Sequence, residues 1–212
     1  MHQDNVISGH PCLLSFRRTP IADFPLVLVV GREPNEDIPA TAACGSYDFR
    51  GASRCAFWNI AYGLLGSSGT PPRSTGQAKD QADHANASPL AFSDALPLTL
   101  RHSAKDKAAK RLAISDVAIE AHVQAVFSHR HLIDRVRVVI LSGLAGPSFK
   151  RSVEHYEQMC ADRDIALFHL PFFYPTNMPK IREQMTNELR DYLAEVLAAF
   201  DAFSARQSGL AA

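Results

Sequence analysis

Leu26-Val27-Leu28-Val29-Val30-Gly31-Arg32-Glu33-Pro34-Asn35 is the stretch whose reading decides the fold. From Pro25 to Val30 the chain is apolar without alternation and rich in β-branched side chains, and it then stops at a glycine and a charged turn. A strand with no polar positions is buried on both faces, the pattern of a parallel sheet covered by helices. In open sheets of this kind the working residues stand at the carboxyl ends of the strands. Glu33 is therefore where an active-site carboxylate is expected. The turn carries neither Gly-x-Gly-x-x-Gly nor Gly-Lys-Ser/Thr, so it is a poor nucleotide cradle.

Further strands are expected over residues 91–100, 137–142 and 165–170, and helices near 53–65, 115–133 and 148–162. A long final helix opens at Pro179 or Lys180, with Ile181, Met185, Leu189, Leu193, Val196, Leu197, Phe200 and Phe203 on its apolar face. Strands alternating with helices predict an α/β fold: a three-layer α/β/α sandwich around a mostly parallel four-stranded central sheet. Residues 1–212 read as a single domain, in which 66–89, rich in Gly, Ser, Thr, Pro and Gln, form a flexible surface insertion. Residues 208–212 are expected to fray.

The chain has 212 residues, 46% of them hydrophobic and 21% charged, with a formal net charge of zero. That composition suits an ordinary globular protein, and a neutral balance leaves nucleic-acid binding to a local patch. Lys105, Lys107, Lys110 and Arg111 form one basic run, and Arg130, Arg135 and Arg137 another. Lys150-Arg151 and Lys180 with Arg182 flank the later loops. No apolar run approaches the roughly 18 residues that span a bilayer, so no membrane partner is expected. The first 20 residues lack the order of a secretory signal, so a cytoplasmic, intracellular location is expected.

The four cysteines, Cys12, Cys44, Cys55 and Cys160, form no Cys-x-x-Cys pair. Four is the number an iron–sulfur cluster takes, but this scatter suits reduced structural thiols better. His129 and His131 diverge by roughly 200° on a helix, so they cannot share a metal. No metal and no other cofactor are expected.

Three segments together resemble the uracil-DNA glycosylase superfamily, nearest its mismatch-specific and hypoxanthine-DNA glycosylase branches. Gly31-Arg32-Glu33-Pro34-Asn35 is similar to that superfamily's first motif, of the type Gly-x-Asp-Pro-Tyr or Gly-x-Asn-Pro-Gly. Arg54-Cys55-Ala56-Phe57-Trp58 resembles the Asn-x-Phe-Trp that opens its first helix. Leu170-Pro171-Phe172-Phe173-Tyr174-Pro175-Thr176-Asn177 resembles a Leu-Pro-Ser-Thr-Ser-Pro-Ala-Asn loop. The chain departs from the pattern at Cys55, where relatives often carry Asn, and at Phe172 to Tyr174, which replace small hydroxyl residues.

The resemblance implies a monofunctional enzyme that hydrolyses the glycosidic bond of uracil or hypoxanthine in DNA after flipping the base from the stack. Glu33 falls on the position that holds water and steadies the sugar cation. It is one methylene longer than the usual Asp, and about 1 Å of misplacement can cost on the order of a hundredfold in rate. Phe57 would stack on the base, Tyr47 would wall the pocket, and Asn177 would bond a base edge or phosphate. Asp94, at the end of the second strand, would accept N–H groups of the base, although a turn or cap role serves a residue there equally well. Pro34, Asn35, Ser148, Tyr174, Met178 and Lys180 are the positions expected to meet DNA, Ser148 through the helix start that follows Gly143-Leu144-Ala145-Gly146. The partner is then DNA with a damaged or deaminated base, bound by a monomer. Two rivals stay open: a catalytically inactive module of the same fold that binds nucleic acid or protein, and an unrelated α/β hydrolase acting on a small nucleoside or ester.

Overall fold

The computed structural model describes residues 6–7, 24–32, 89–97, 99–100, 105–128, 133–173 and 177–210. Glu33, Pro34, Asn35, Tyr47, Phe57 and Tyr174 lie outside the described residues, as do the helix expected near 53–65 and all of the 66–89 insertion except Pro89.

The chain is α/β. The described strands are β1 (Val6–Ile7), β2 (Leu26–Gly31), β3 (Leu90–Asp94), β4 (Thr99–Leu100), β5 (Val136–Ser142) and β6 (Ala166–Leu170). Among them β3, β2, β5 and β6 hydrogen-bond in that order, and every neighbouring pair is parallel. β1 and β4 make a separate antiparallel pair. The described helices are α1 (Lys107–Leu112), α2 (Asp116–Phe127), α3 (Lys150–Ala161), α4 (Met178–Gln184) and α5 (Asn187–Leu210).

Leu26 to Val30 of β2 are each at most 1% exposed, as an uninterrupted apolar strand requires. Alternate side chains point to opposite faces, and each face has its own core. Leu26, Leu28, Val30, Val139 and Leu141 pack with Ile119, Val123, Val126 and Phe127 of α2 and with Tyr156 and Cys160 of α3. Val27, Val29, Val138 and Ile140 pack with Ile181 of α4 and with Leu189, Leu193 and Val196 of α5.

Ser115 starts α2, its side chain accepting the Ala118 N–H at 3.2 Å. Val117 is exposed at 74%, because the buried face of α2 turns through Ile119, His122, Val123, Val126 and Phe127. The long final helix is two helices. The chain becomes extended at Met185, and Thr186 restarts it by accepting the Leu189 N–H at 3.1 Å. α5 then stays helical through Ser208 and Gly209 to Leu210, where fraying was expected. His169 is half-exposed on β6 and lies 3.2 Å from Glu157 of α3. Among the described residues β6 has a single neighbour in the sheet, and an edge strand leaves such positions open to water.

At the amino end of the sheet Arg135 acts as a clasp. Its Nε donates to Phe24 O at 2.8 Å, its guanidinium lies 4.5 Å from the Phe24 ring centre, and its carbonyl accepts the Leu26 N–H at 2.8 Å. Phe200 and Phe203 of α5 close on the same ring at 5.1 and 5.0 Å. Arg135, a member of the second basic run of the sequence, is thus at the end of the sheet opposite to Arg32 and Phe172. Phe24→Ala is expected to cost about 3–5 kcal/mol in urea unfolding, and a loss below about 1 kcal/mol would contradict this packing.

Candidate functional site

β2 stands between β3, which follows it in sequence, and β5, which follows β3. The chain therefore leaves β2 toward one side of the sheet and returns on the other. The carboxyl ends of β2 and β5 flank this reversal, the place where doubly wound sheets open a crevice for ligands.

Register fixes which residues meet there. Gly31 pairs with Asp94, Val30 with Leu141, and Ser142 with Leu170. Asp94, Gly31, Ser142 and Leu170 thus form one row across the carboxyl edge. Strand alternation points Asp94 and Ser142 to the face covered by α4 and α5. Asp94 is 2% exposed and Ser142 1%. The bare Gly31 lets the Asp94 carboxylate come close to its backbone: a Cβ there would lie 3.3 Å from Asp94 Oδ1. The Ser142 hydroxyl has no hydrogen-bond partner among the described residues, a costly state for a buried polar group.

The opposite face anchors the Asp94 backbone. His122 Nε2 donates to Asp94 O, and Tyr156, fully buried, directs its hydroxyl to Ser93 Oγ at 3.1 Å and Asp94 O at 3.3 Å. Because a carbonyl only accepts, Nε2 carries the proton of the neutral ring, and buried Nδ1 has no partner among the described residues. Burial lowers the His122 pKa, opposed in part by the hydrogen bond to Asp94. Burial raises the Tyr156 hydroxyl above its ordinary range and the Cys160 thiol to about 12, so neither is a nucleophile at neutral pH.

Three strand ends are tied together at the crevice. Gly143 has φ +67°, and a Cβ there would come within 2.5 Å of the Phe172 Cβ, so only glycine fits. Gly143 N–H donates to Leu170 O at 2.8 Å, while Gly143 O accepts from Arg32 Nε at 2.9 Å. The Arg32 guanidinium lies 5.1 Å from the Phe172 ring centre and 6.0 Å from that of Phe149. Arg111 stacks on the same Phe149 ring at 5.0 Å. Asn177 Nδ2 donates to Phe172 O at 2.9 Å, so this amide holds the loop after β6 in shape. Phe173 is fully buried in the core under α4 and α5.

Of the site residues expected from the sequence, Asp94 stands in the carboxyl-edge row. Asn177 begins α4, where Met178 packs partly into the core and Lys180 is exposed. Ser148 lies in the turn after β5, one residue before Phe149, which caps α3. Sequence reasoning missed Arg32, Ser142 and His122. Ser142 had a signal, being the first polar residue after the apolar run Val136 to Leu141 apart from Arg137 and standing directly before a glycine. Among the described residues, no group of three or more His, Cys, Asp or Glu side chains could hold a metal ion. Among them, too, no helix is long and apolar enough to cross a membrane.

No protein-family model matches this chain, and no curated protein matches it.

The lowered pKa of His122 sets a pH dependence with a definite sign. Above pH about 6.5 the ring is neutral whether the chain is folded or unfolded, and its contribution to stability is fully present. As pH falls below that value the unfolded chain takes up a proton that the folded one refuses, so stability is lost until the folded pKa is passed. His122→Gln keeps an N–H for Asp94 O and removes the titration. Urea midpoints are expected to fall less steeply from pH 7 to pH 5 in this variant than in the wild type, and equal slopes would refute the assignment.

Proposed function

We propose that the chain is a monofunctional DNA glycosylase that removes a deaminated base, uracil or hypoxanthine, from DNA. We infer for it a three-layer α/β/α sandwich around a mostly parallel four-stranded sheet. The observation that carries the reading is the carboxyl-edge row: a buried carboxylate, Asp94, leans over the bare backbone of Gly31 at the crevice beside β2, and Gly31 opens the glycosylase-like segment Gly31-Arg32-Glu33-Pro34-Asn35. A flat heterocycle bound at this row needs acceptors on one side for its N–H groups and a hydroxyl on the other for its carbonyl. Asp94 and Ser142 supply that pair.

In this reading the bond from the base nitrogen to C1′ breaks and its electron pair leaves with the base. The deoxyribose becomes cationic, and a water oxygen bonds C1′ after giving a proton to the Glu33 carboxylate. Glu33 follows Arg32 directly in sequence, and Arg32 is anchored at the crevice. Phe57 stacks on the extruded base, Tyr47 walls it, and Pro34, Asn35, Ser148, Tyr174, Met178 and Lys180 meet the DNA. Water is the only co-reactant this chemistry requires, and the chain acts as a monomer.

One observation favours the second reading, an inactive module of the same fold. Asn177 spends its amide on Phe172 O, and Phe173 is core, so the loop after β6 is built more for packing than for gripping a phosphate.

The test is base release from single- and double-stranded oligonucleotides carrying uracil, hypoxanthine or xanthine. Release by the wild type is expected, with a loss of about a hundredfold or more in Glu33→Ala and altered discrimination among bases in Asp94→Asn. DNA binding without release from any of these substrates would support the inactive module. Release unchanged in Glu33→Ala would overturn the proposed mechanism.

A further inference from the structure

Arg32 is half-buried at the carboxyl end of β2, yet none of the described carboxylates pairs with it. Its Nε is bound to Gly143 O at 2.9 Å. The rings of Phe172 and Phe149, at 5.1 and 6.0 Å, restrict its plane further. The terminal Nη1 and Nη2 groups have no hydrogen-bond partner among the described residues. A guanidinium held by its Nε keeps those two nitrogens as a fork that matches two oxygens of one oxyanion. Partial burial of a cation without a counter-ion is unfavourable, and an anion at the fork removes that penalty. Arg111, 5.0 Å from the centre of the same Phe149 ring, brings a second guanidinium to this end of the sheet.

We propose that Arg32 is the phosphate-binding residue of the crevice, taking two oxygens of a single phosphate through Nη1 and Nη2 while Nε stays on Gly143 O. In the bound state that phosphate is one of the phosphates of the DNA strand. This step rests on the proposed reading that the ligand is DNA. The same fork accepts the phosphate of a free nucleotide, and the experiment separates the two sources.

Binding of a uracil-containing single-stranded oligonucleotide is measured by fluorescence anisotropy across a salt series for the wild type, Arg32→Gln and Arg32→Lys. Binding of inorganic phosphate and of deoxyuridine monophosphate is measured in parallel by calorimetry. A lost phosphate contact lowers affinity for every sequence alike, and in Arg32→Gln it reduces the slope of log affinity on log salt by about 0.7. Arg32→Lys keeps the charge and loses the fork. Its slope is expected to match the wild type while its affinity falls, which keeps the test open if Arg32→Gln does not fold.

DNA bound with an unchanged slope by Arg32→Gln would overturn the proposal and leave the DNA reading standing. Deoxyuridine monophosphate binding that Arg32→Gln abolishes, with no DNA binding by the wild type, would keep the phosphate site and remove DNA as its source. Wild-type protein that binds neither DNA, phosphate nor the nucleotide would overturn the proposal.

Discussion

The parallel pairing of Leu26 to Gly31 on both of its edges is the constraint from which the rest of the structure follows. A strand hydrogen-bonded on two sides and buried on two faces has no place for a polar side chain until it ends. Burial of Leu26 to Val30 contributes on the order of 10 kcal/mol. That is about what ordering the same residues costs, so the strand persists only because side chains of α2, α3, α4 and α5 pack on its faces and complete that burial. The first positions released from this requirement are Gly31 and Arg32, and they emerge at the reversal of strand order. The same logic delivers Asp94 from β3 and Ser142 from β5 to the same row.

What holds that edge in shape is a short chain of dependencies. Gly143 must be bare and left-handed for Phe172 to approach it. Phe172, so placed, gives Arg32 a ring to stack on and gives Asn177 a carbonyl to bond. Arg32 returns to Gly143 O and joins the end of β2 to the end of β5. On the far face, His122 and Tyr156 bond the Asp94 carbonyl oxygen and so fix the backbone that carries its carboxylate. The two ends of the sheet divide the arginines by role: Arg135 clasps the amino end, and Arg32 marks the carboxyl end.

The parts of the fold that could be read from the sequence are those governed by local pattern. The unbroken apolar run of β2, the second such run before Ser142, and the Ser115 cap of α2 each carry their own signal. The break at Met185 was hidden because Met185 and Leu189 keep the helical spacing across it, although Thr186 holds the residue type of a helix start. The exposure of His169 has no local signal, because burial on an edge strand depends on which neighbours exist, and a sequence does not print its neighbours. At the site, Asp94 was legible as a polar residue closing a strand. Arg32 was not, since its role comes from Gly143, Phe149 and Phe172, all more than a hundred residues away along the chain.

In the proposed reading a flipped nucleotide of DNA is held at the carboxyl ends of β2, β3 and β5. Amide hydrogen exchange of the full chain, with and without a single-stranded uracil oligonucleotide, tests it most directly. The account predicts added protection in peptides covering residues 30–32, 93–97 and 142–149. Protection centred instead on residues 24–27 and 133–138, at the opposite end of the same strands, or no change at saturating DNA, would contradict it.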